Sequence, residues 1–143
     1  MKVQLKKLTD TAILPSRGSD SAAGYDLSAD ISSDVIIKPH ETKLIGTGIS
    51  VAIPDGYFGG VYARSGLSLR EGLRPANCTG VIDSDYRGEI KVSLHNDSNE
   101  ARTISPQERI AQLVIMPYLE VAFDEVSELN DTIRGTGGFG STG

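Results

Sequence analysis

The sequence predicts a single all-β domain of short strands with one short helix. Apolar residues occur in short runs, several of which alternate with polar residues in the period of two that is typical of strands. Glycine, proline, aspartate and serine separate these runs, as expected for a chain that turns often. One stretch, residues 63–72, has helical spacing, and it is barely two turns long. At 143 residues the chain is long enough for one domain with a real core.

The apolar runs that we interpret as strands follow one another at short intervals. They are residues 3–5, 12–14, 35–37, 49–53, 57–62, 81–82, 90–94, 101–104, 109–117 and 121–126. The run 109–117 is nearly continuous and is predicted to lie in the core. Gln112 interrupts this run, and a buried amide must find hydrogen-bond partners or face a ligand.

The stretch 79–89, Thr-Gly-Val-Ile-Asp-Ser-Asp-Tyr-Arg-Gly-Glu, predicts a hairpin with charged groups at its tip. Residues 83–85, Asp-Ser-Asp, supply turn chemistry between the β-forming runs 81–82 and 90–94. The aspartates, Tyr86 and Arg87 at such a tip can bind a metal, activate a water, or hold a flat anionic ligand. The alternative is an ordinary solvated turn.

Two further segments combine polar groups with unusual backbone requirements. Arg64, Ser65 and Gly66 open the helical stretch and offer a guanidinium, a hydroxyl and free N–H groups, which suit a phosphate. The alternative is a surface helix capped by serine. Asp26 lies between apolar neighbours beside Gly24, where an acid has no packing role, although it can also cap a turn.

Residues 134–143 form a glycine-rich tail in which Phe139 is the single large apolar side chain. The composition predicts flexibility, and an idle, disordered terminus is one reading. The other is a mobile flap, in which Phe139 stacks on a ligand while Arg134, Ser141, Thr142 and glycine N–H groups bind phosphate. We expect residues 1–133 to form the folded β domain and residues 134–143 to be the flap of the same domain.

Composition excludes several classes of function. The chain has 14 basic and 19 acidic residues, a net charge of −5, which argues against a nucleic-acid partner. No apolar run reaches the roughly 18 residues of a membrane span, and no secretory signal precedes the first strand. Cys78 is the single cysteine, which suits a reducing compartment, so we expect a cytoplasmic protein. His40, His95 and Cys78 do not have the spacing of a structural zinc site.

Five segments taken in order closely resemble the homotrimeric deoxyuridine triphosphatase (dUTPase) family. They are Ala-Gly-Tyr-Asp-Leu at 23–27, Arg-Ser-Gly-Leu at 64–67, Gly-Val-Ile-Asp-Ser-Asp-Tyr-Arg-Gly at 80–88, Arg-Ile-Ala-Gln-Leu at 109–113, and the tail at 134–143. One departure is Ala63, where the family commonly has proline, and it bears on loop rigidity.

The resemblance implies a jelly-roll-like subunit, a homotrimer with shared active sites, and Mg²⁺-dependent hydrolysis of dUTP to dUMP and pyrophosphate. That reaction limits uracil incorporation into DNA and supplies dUMP for dTMP synthesis. The resemblance also implies that Asp83 activates the water and that Tyr86 excludes a 2′-hydroxyl. The uracil readers it implies are Asn77, Gly80, Val81, Ile82 and Lys91. The phosphate-binding residues it implies are Arg64, Ser65, Gly66 and Gln112. The substrate-binding residues of the tail are Arg134, Phe139, Gly140, Ser141 and Thr142, among which Phe139 stacks on the ligand. Asp26 is implied to hold magnesium through water.

Two rival functions remain at this point. A related fold carries dCTP deaminase, whose chemistry activates water at the pyrimidine ring rather than at phosphorus. The chain can also be a non-catalytic nucleotide sensor or a jelly-roll interaction module, against which the intact Asp83 and the intact tail argue.

Overall fold

The computed structural model describes residues 1–140. That range contains eleven strands and one helix. The strands are β1 (Gln4–Lys7), β2 (Tyr25–Ser28), β3 (Val35–Ile37), β4 (Thr42–Gly46), β5 (Ile49–Ala52), β6 (Tyr57–Tyr62), β7 (Leu73–Pro75), β8 (Thr79–Ile82), β9 (Lys91–Asn96), β10 (Arg102–Ile104) and β11 (Arg109–Pro117); the helix α1 is Ser65–Glu71. The helix is not long and apolar enough to cross a membrane, and no other helix occurs in this range.

All of the strand pairs are antiparallel, and most of them join strands that are distant in sequence. A four-stranded sheet has the order β2-β11-β6-β8, and a three-stranded sheet has the order β4-β9-β7. Two further two-stranded sheets are formed by the pairs β1-β5 and β10-β3. Such crossing connections are typical of a jelly-roll-like barrel, so the predicted fold class is confirmed.

One hydrophobic core joins all of these sheets. Its most buried members, each with almost no exposed surface, come from strands of every sheet and from the loop before β9; they are Leu27, Ile37, Ile49, Leu73, Ile90, Leu94, Ile104 and Ile110. Gly59 lies where β6 crosses this core. A Cβ at that position would lie 2.9 Å from the Cδ1 atoms of Ile53 and Leu113, so a larger residue would require these core side chains to shift.

The prediction of a hairpin around residues 79–89 is wrong. β8 pairs with β6, whereas β9 pairs with β4 and β7, so the segment between β8 and β9 connects two sheets. The alternating Val92 and Leu94 of β9 are buried in the core, and β9 lies next to β4 rather than beside β8. Ser50 Oγ donates a 2.7 Å hydrogen bond to the Arg87 carbonyl and holds the connection against β5.

Two predicted strands do not form. Residues 12–14 are irregular, and Ala12 alone of the three is buried. Residues 121–126 have no strand partner within the described range, although Val121, Phe123 and Val126 give the stretch a strand-like composition. A strand needs a neighbour that completes its hydrogen bonds, and one copy of the chain provides none here. The apolar side chains of residues 118–133 are therefore exposed to solvent.

Candidate active site

The predicted phosphate-binding residues outside the tail line one large cavity. It has a volume of about 900 Å³ and lies on the outer face of the four-stranded sheet. On β11, Gln112, Val114 and Met116 line the cavity, whereas Leu113 between them is buried in the core. Successive side chains of a strand point to opposite faces, so the cavity is on the face away from the core. Arg64, Ser65, Gly66 and Asp26 complete its wall.

Asp26 lies at the floor of this large cavity between two arginines. Arg64 Nε donates a 2.8 Å hydrogen bond to one carboxylate oxygen, and Arg109 Nη1 donates a 3.1 Å hydrogen bond to the other. Arg64 also donates to the Arg109 carbonyl at 3.1 Å. These contacts fix the direction of the Arg64 side chain at the start of α1. The Asp26 side chain is 17% exposed, so the ion pairs are partly shielded from water.

Gln112 lies against the backbone on both sides of the large cavity. Its Nε2 donates a 2.9 Å hydrogen bond to the Ala63 carbonyl. Its Oε1 lies so close to Gly24 that a Cβ there would overlap the amide, which explains the glycine. The loop before α1 thus supplies the hydrogen-bond partner that the Gln112 amide requires. The accepting carbonyl belongs to Ala63, the residue that stands where the family commonly has proline.

All five residues predicted to read a base line a second, smaller cavity. Its volume is about 230 Å³, and the five are Asn77, Gly80, Val81, Ile82 and Lys91. β8 is the edge strand of its sheet, because it pairs with β6 alone. An edge strand presents unpaired N–H and C=O groups, which are the donors and acceptors that a pyrimidine edge requires. Arg74 Nη1 donates to the Pro75 carbonyl at 3.2 Å and supports the turn that carries Asn77.

Asp83 and Tyr86 follow β8 directly. Asp83 is exposed and lines a third cavity of about 500 Å³ together with Phe58 and Tyr118. Tyr86 Oη donates a 3.0 Å hydrogen bond to the Glu89 carbonyl, which fixes the ring beside the connection. Gly88 makes this possible, since any side chain there would overlap the tyrosine hydroxyl.

The residues predicted to read the base and those predicted to bind phosphate line different cavities. On β6, Val61 lines the smaller cavity and its neighbour Tyr62 lines the larger one. Because consecutive strand residues point to opposite faces, the two cavities open from opposite sides of one sheet. A single cavity of one chain therefore does not contain both sets.

The described part of the tail lies away from these cavities. Residues 134–140 line none of the three, and Phe139 is fully exposed. Arg134 Nε donates a 2.8 Å hydrogen bond to the Gly137 carbonyl within the tail itself. The predicted phosphate donors Ser141 and Thr142 lie outside the described residues.

Sequence reasoning missed Arg109 as a site residue. Its contact with Asp26 joins positions 83 residues apart, and it depends on the pairing of β11 with β2. The motif at 109–113 contained the residue, but nothing in the local pattern showed which strand it would face.

Comparison with known proteins decides the family. A sequence model of the dUTPase family matches residues 10–143. The chain belongs to the dUTPase family. It is 53% identical over 143 residues to the deoxyuridine 5'-triphosphate nucleotidohydrolase of Nautilia profundicola, covering 100% of this chain and 99% of the relative. The protein of that name from Hydrogenobaculum sp. is 47% identical, again over 100% and 99%.

Solved structures agree with this assignment. The dUTPase G164S mutant of Staphylococcus bacteriophage 80alpha, solved with dUpNHpp, superposes with a TM-score of 0.88 at 32% identity. The match covers 99% of this chain and 98% of the phage chain. This dUTPase is therefore a hydrolase of the dUTP diphosphatase class.

Proposed function

We propose that this dUTPase cleaves dUTP between the α- and β-phosphates, with Asp83 as the general base. The observation that carries the proposal is the position of Asp83, the first residue after the edge strand β8. Residues 80–82 of that strand line the smaller cavity, here called the base cavity. A nucleotide whose uracil pairs with that edge has its sugar and α-phosphate near the end of β8. The product dUMP supplies dTMP synthesis, and removal of dUTP limits uracil incorporation into DNA.

The chemistry assigned to Asp83 is proton transfer. The Asp83 carboxylate accepts a proton from a water molecule while the water oxygen bonds to the α-phosphorus. The bond from that phosphorus to the bridging oxygen breaks, and pyrophosphate leaves with the electron pair. Tyr86, which is fixed by Glu89 and given space by Gly88, closes the sugar side of the site.

The residues around Asp26 fit a magnesium ion held through water. Each carboxylate has about four lone-pair positions, and the two arginines use one on each oxygen, so Asp26 can still accept hydrogen bonds from metal-bound waters. In residues 1–140 no three His, Cys, Asp or Glu side chains are placed to hold a metal directly. Mg²⁺ typically keeps several waters and takes substrate phosphates as ligands. When bound, it would neutralise charge on the departing pyrophosphate.

The arrangement of the two cavities supports a homotrimer with shared sites. Because base and phosphate groups lie on opposite faces of one sheet, the phosphates of a nucleotide bound by one copy must reach the Arg64 loop of another. The exposed apolar segment 118–133, which includes the fully exposed Phe123, offers further surface for contact between copies. We expect light scattering to give the mass of three chains. A fully active monomer would contradict the shared site.

Mixing experiments test sharing more sharply. Asp83→Asn removes the proposed general base, and Arg64→Ala removes a proposed phosphate-binding guanidinium. Each pure variant should therefore be nearly inactive. If a site takes Asp83 from one copy and Arg64 from another, refolding an equal mixture should restore about one quarter of the sites by random assembly. If both residues act within one copy, the mixture stays as inactive as its components.

A pyrophosphate-release assay across dUTP, dTTP, dCTP and UTP tests the function itself. We expect hydrolysis of dUTP to exceed that of the other three by orders of magnitude. Ammonia release from dCTP would indicate a deaminase instead. Binding of dUTP with no turnover of any nucleotide would indicate a sensor.

Tyr86→Ala should narrow the ratio of dUTP to UTP hydrolysis. The ring rejects the ribose 2′-hydroxyl by occupying its space, and removing the ring admits UTP. The measurement is kcat/KM for both nucleotides. Tyr86→Phe is the matched control, since it keeps the ring and loses only the hydrogen bond to Glu89. An unchanged ratio in Tyr86→Ala would show that another group reads the sugar.

A further inference from the structure

Arg70 folds back along α1 toward the predicted phosphate-binding residues 64–66, here called the phosphate loop. A Cβ built on Gly66 would lie 3.0 Å from Arg70 Nη2 and 3.5 Å from its Cζ. The two residues are four apart, and long helical side chains lean toward the N-terminus, so this contact is one between successive turns. The guanidinium therefore lies against the glycine that follows Ser65.

The same guanidinium has no partner in the described part of the chain. Seven of the eight arginines donate at least one hydrogen bond to protein: Arg17, Arg64, Arg74, Arg87, Arg102, Arg109 and Arg134. Within residues 1–140 Arg70 makes no hydrogen bond or ion pair. The first turn of α1 also contains no acidic residue that would neutralise it.

We propose that Arg70 is a further phosphate-binding residue of this enzyme. The inference rests on the proposed function, in which residues 64–66 bind the phosphates of dUTP. A guanidinium presents a planar set of N–H donors that matches phosphate oxygens. Gly66 leaves the space that this side chain occupies, and a phosphate bound at the loop supplies the anion that the protein itself does not.

Arg70→Gln, which removes the charge and keeps most of the length, tests the proposal. We expect KM for dUTP and the inhibition constant of inorganic tripolyphosphate to rise roughly 10- to 150-fold, as expected for a lost charge-assisted hydrogen bond. Inhibition by deoxyuridine, which has no phosphate, should stay within about twofold. Arg70→Lys should recover part of the loss. A thermal melt shows that each variant is folded.

Two controls separate the possible failures. Lys6→Gln removes an equal charge from the exposed β1 strand and should change none of these constants. Equal losses for tripolyphosphate and deoxyuridine, no loss, or a loss matched by Lys6→Gln would overturn the role of Arg70. Arg64→Gln is measured in parallel. If it also leaves dUTP hydrolysis unchanged, the phosphate loop of the proposed function is wrong rather than Arg70 alone.

Discussion

Asp83→Asn is expected to lower kcat by roughly 10²–10⁴, the usual contribution of a positioned general base. The amide keeps the shape of the side chain but cannot take a proton from water. Binding of dUTP should change little, because the base cavity is built from the edge of β8 and from Lys91, which the substitution does not touch. Single-turnover rates and equilibrium binding of dUTP measure the two effects separately.

Asp85→Asn is the matched comparison for this experiment. Asp85 is exposed, lies two residues further along the same connection and lines the same third cavity as Asp83. If the general base is Asp83, the loss in kcat belongs mainly to that position. Equal losses at both positions would show that the pair acts through local charge, and near-normal turnover of Asp83→Asn would remove it from the mechanism.

The elements that sequence predicted well are those whose pattern is local. β3, β6 and β11 match the predicted runs residue for residue, because each is a run of apolar or β-forming residues with turn-forming residues close by. β7 escaped prediction because Leu-Arg-Pro has no strand periodicity. It forms because the neighbouring β9 completes its hydrogen bonds, an interaction that lies outside the segment.

In the site, too, sequence motifs indicated some residues, whereas other features depend on how distant segments pack together. The resemblance indicated Asp83, Gln112 and five residues predicted to read the base, and those five line one cavity. The partition of base and phosphate groups between two faces of a sheet depends on the direction of Val61 and Tyr62 within the barrel. Likewise the contact of Arg70 with Gly66 depends on a rotamer, which the sequence leaves open.

Removing residues 136–143 is expected to nearly abolish turnover while leaving fold and assembly intact. Within the described range these residues add no strand, and Phe139 makes no contribution to the core. Their loss should therefore leave the melting temperature and the number of chains in the assembly unchanged. Activity should fall because the tail is proposed to close over the bound nucleotide, excluding water and supplying phosphate donors.

Phe139→Ala separates stacking from the other contributions of the tail. Base–aromatic stacking is worth about 1–3 kcal/mol, so kcat/KM for dUTP should fall on the order of 5- to 150-fold. Phe139→Tyr, which keeps an aromatic ring at this position, should retain most of kcat/KM. The truncated protein should lose more than Phe139→Ala, since it also lacks the hydroxyls of Ser141 and Thr142. A truncated protein that melts normally and hydrolyses dUTP at the full rate would show that the tail has no part in catalysis.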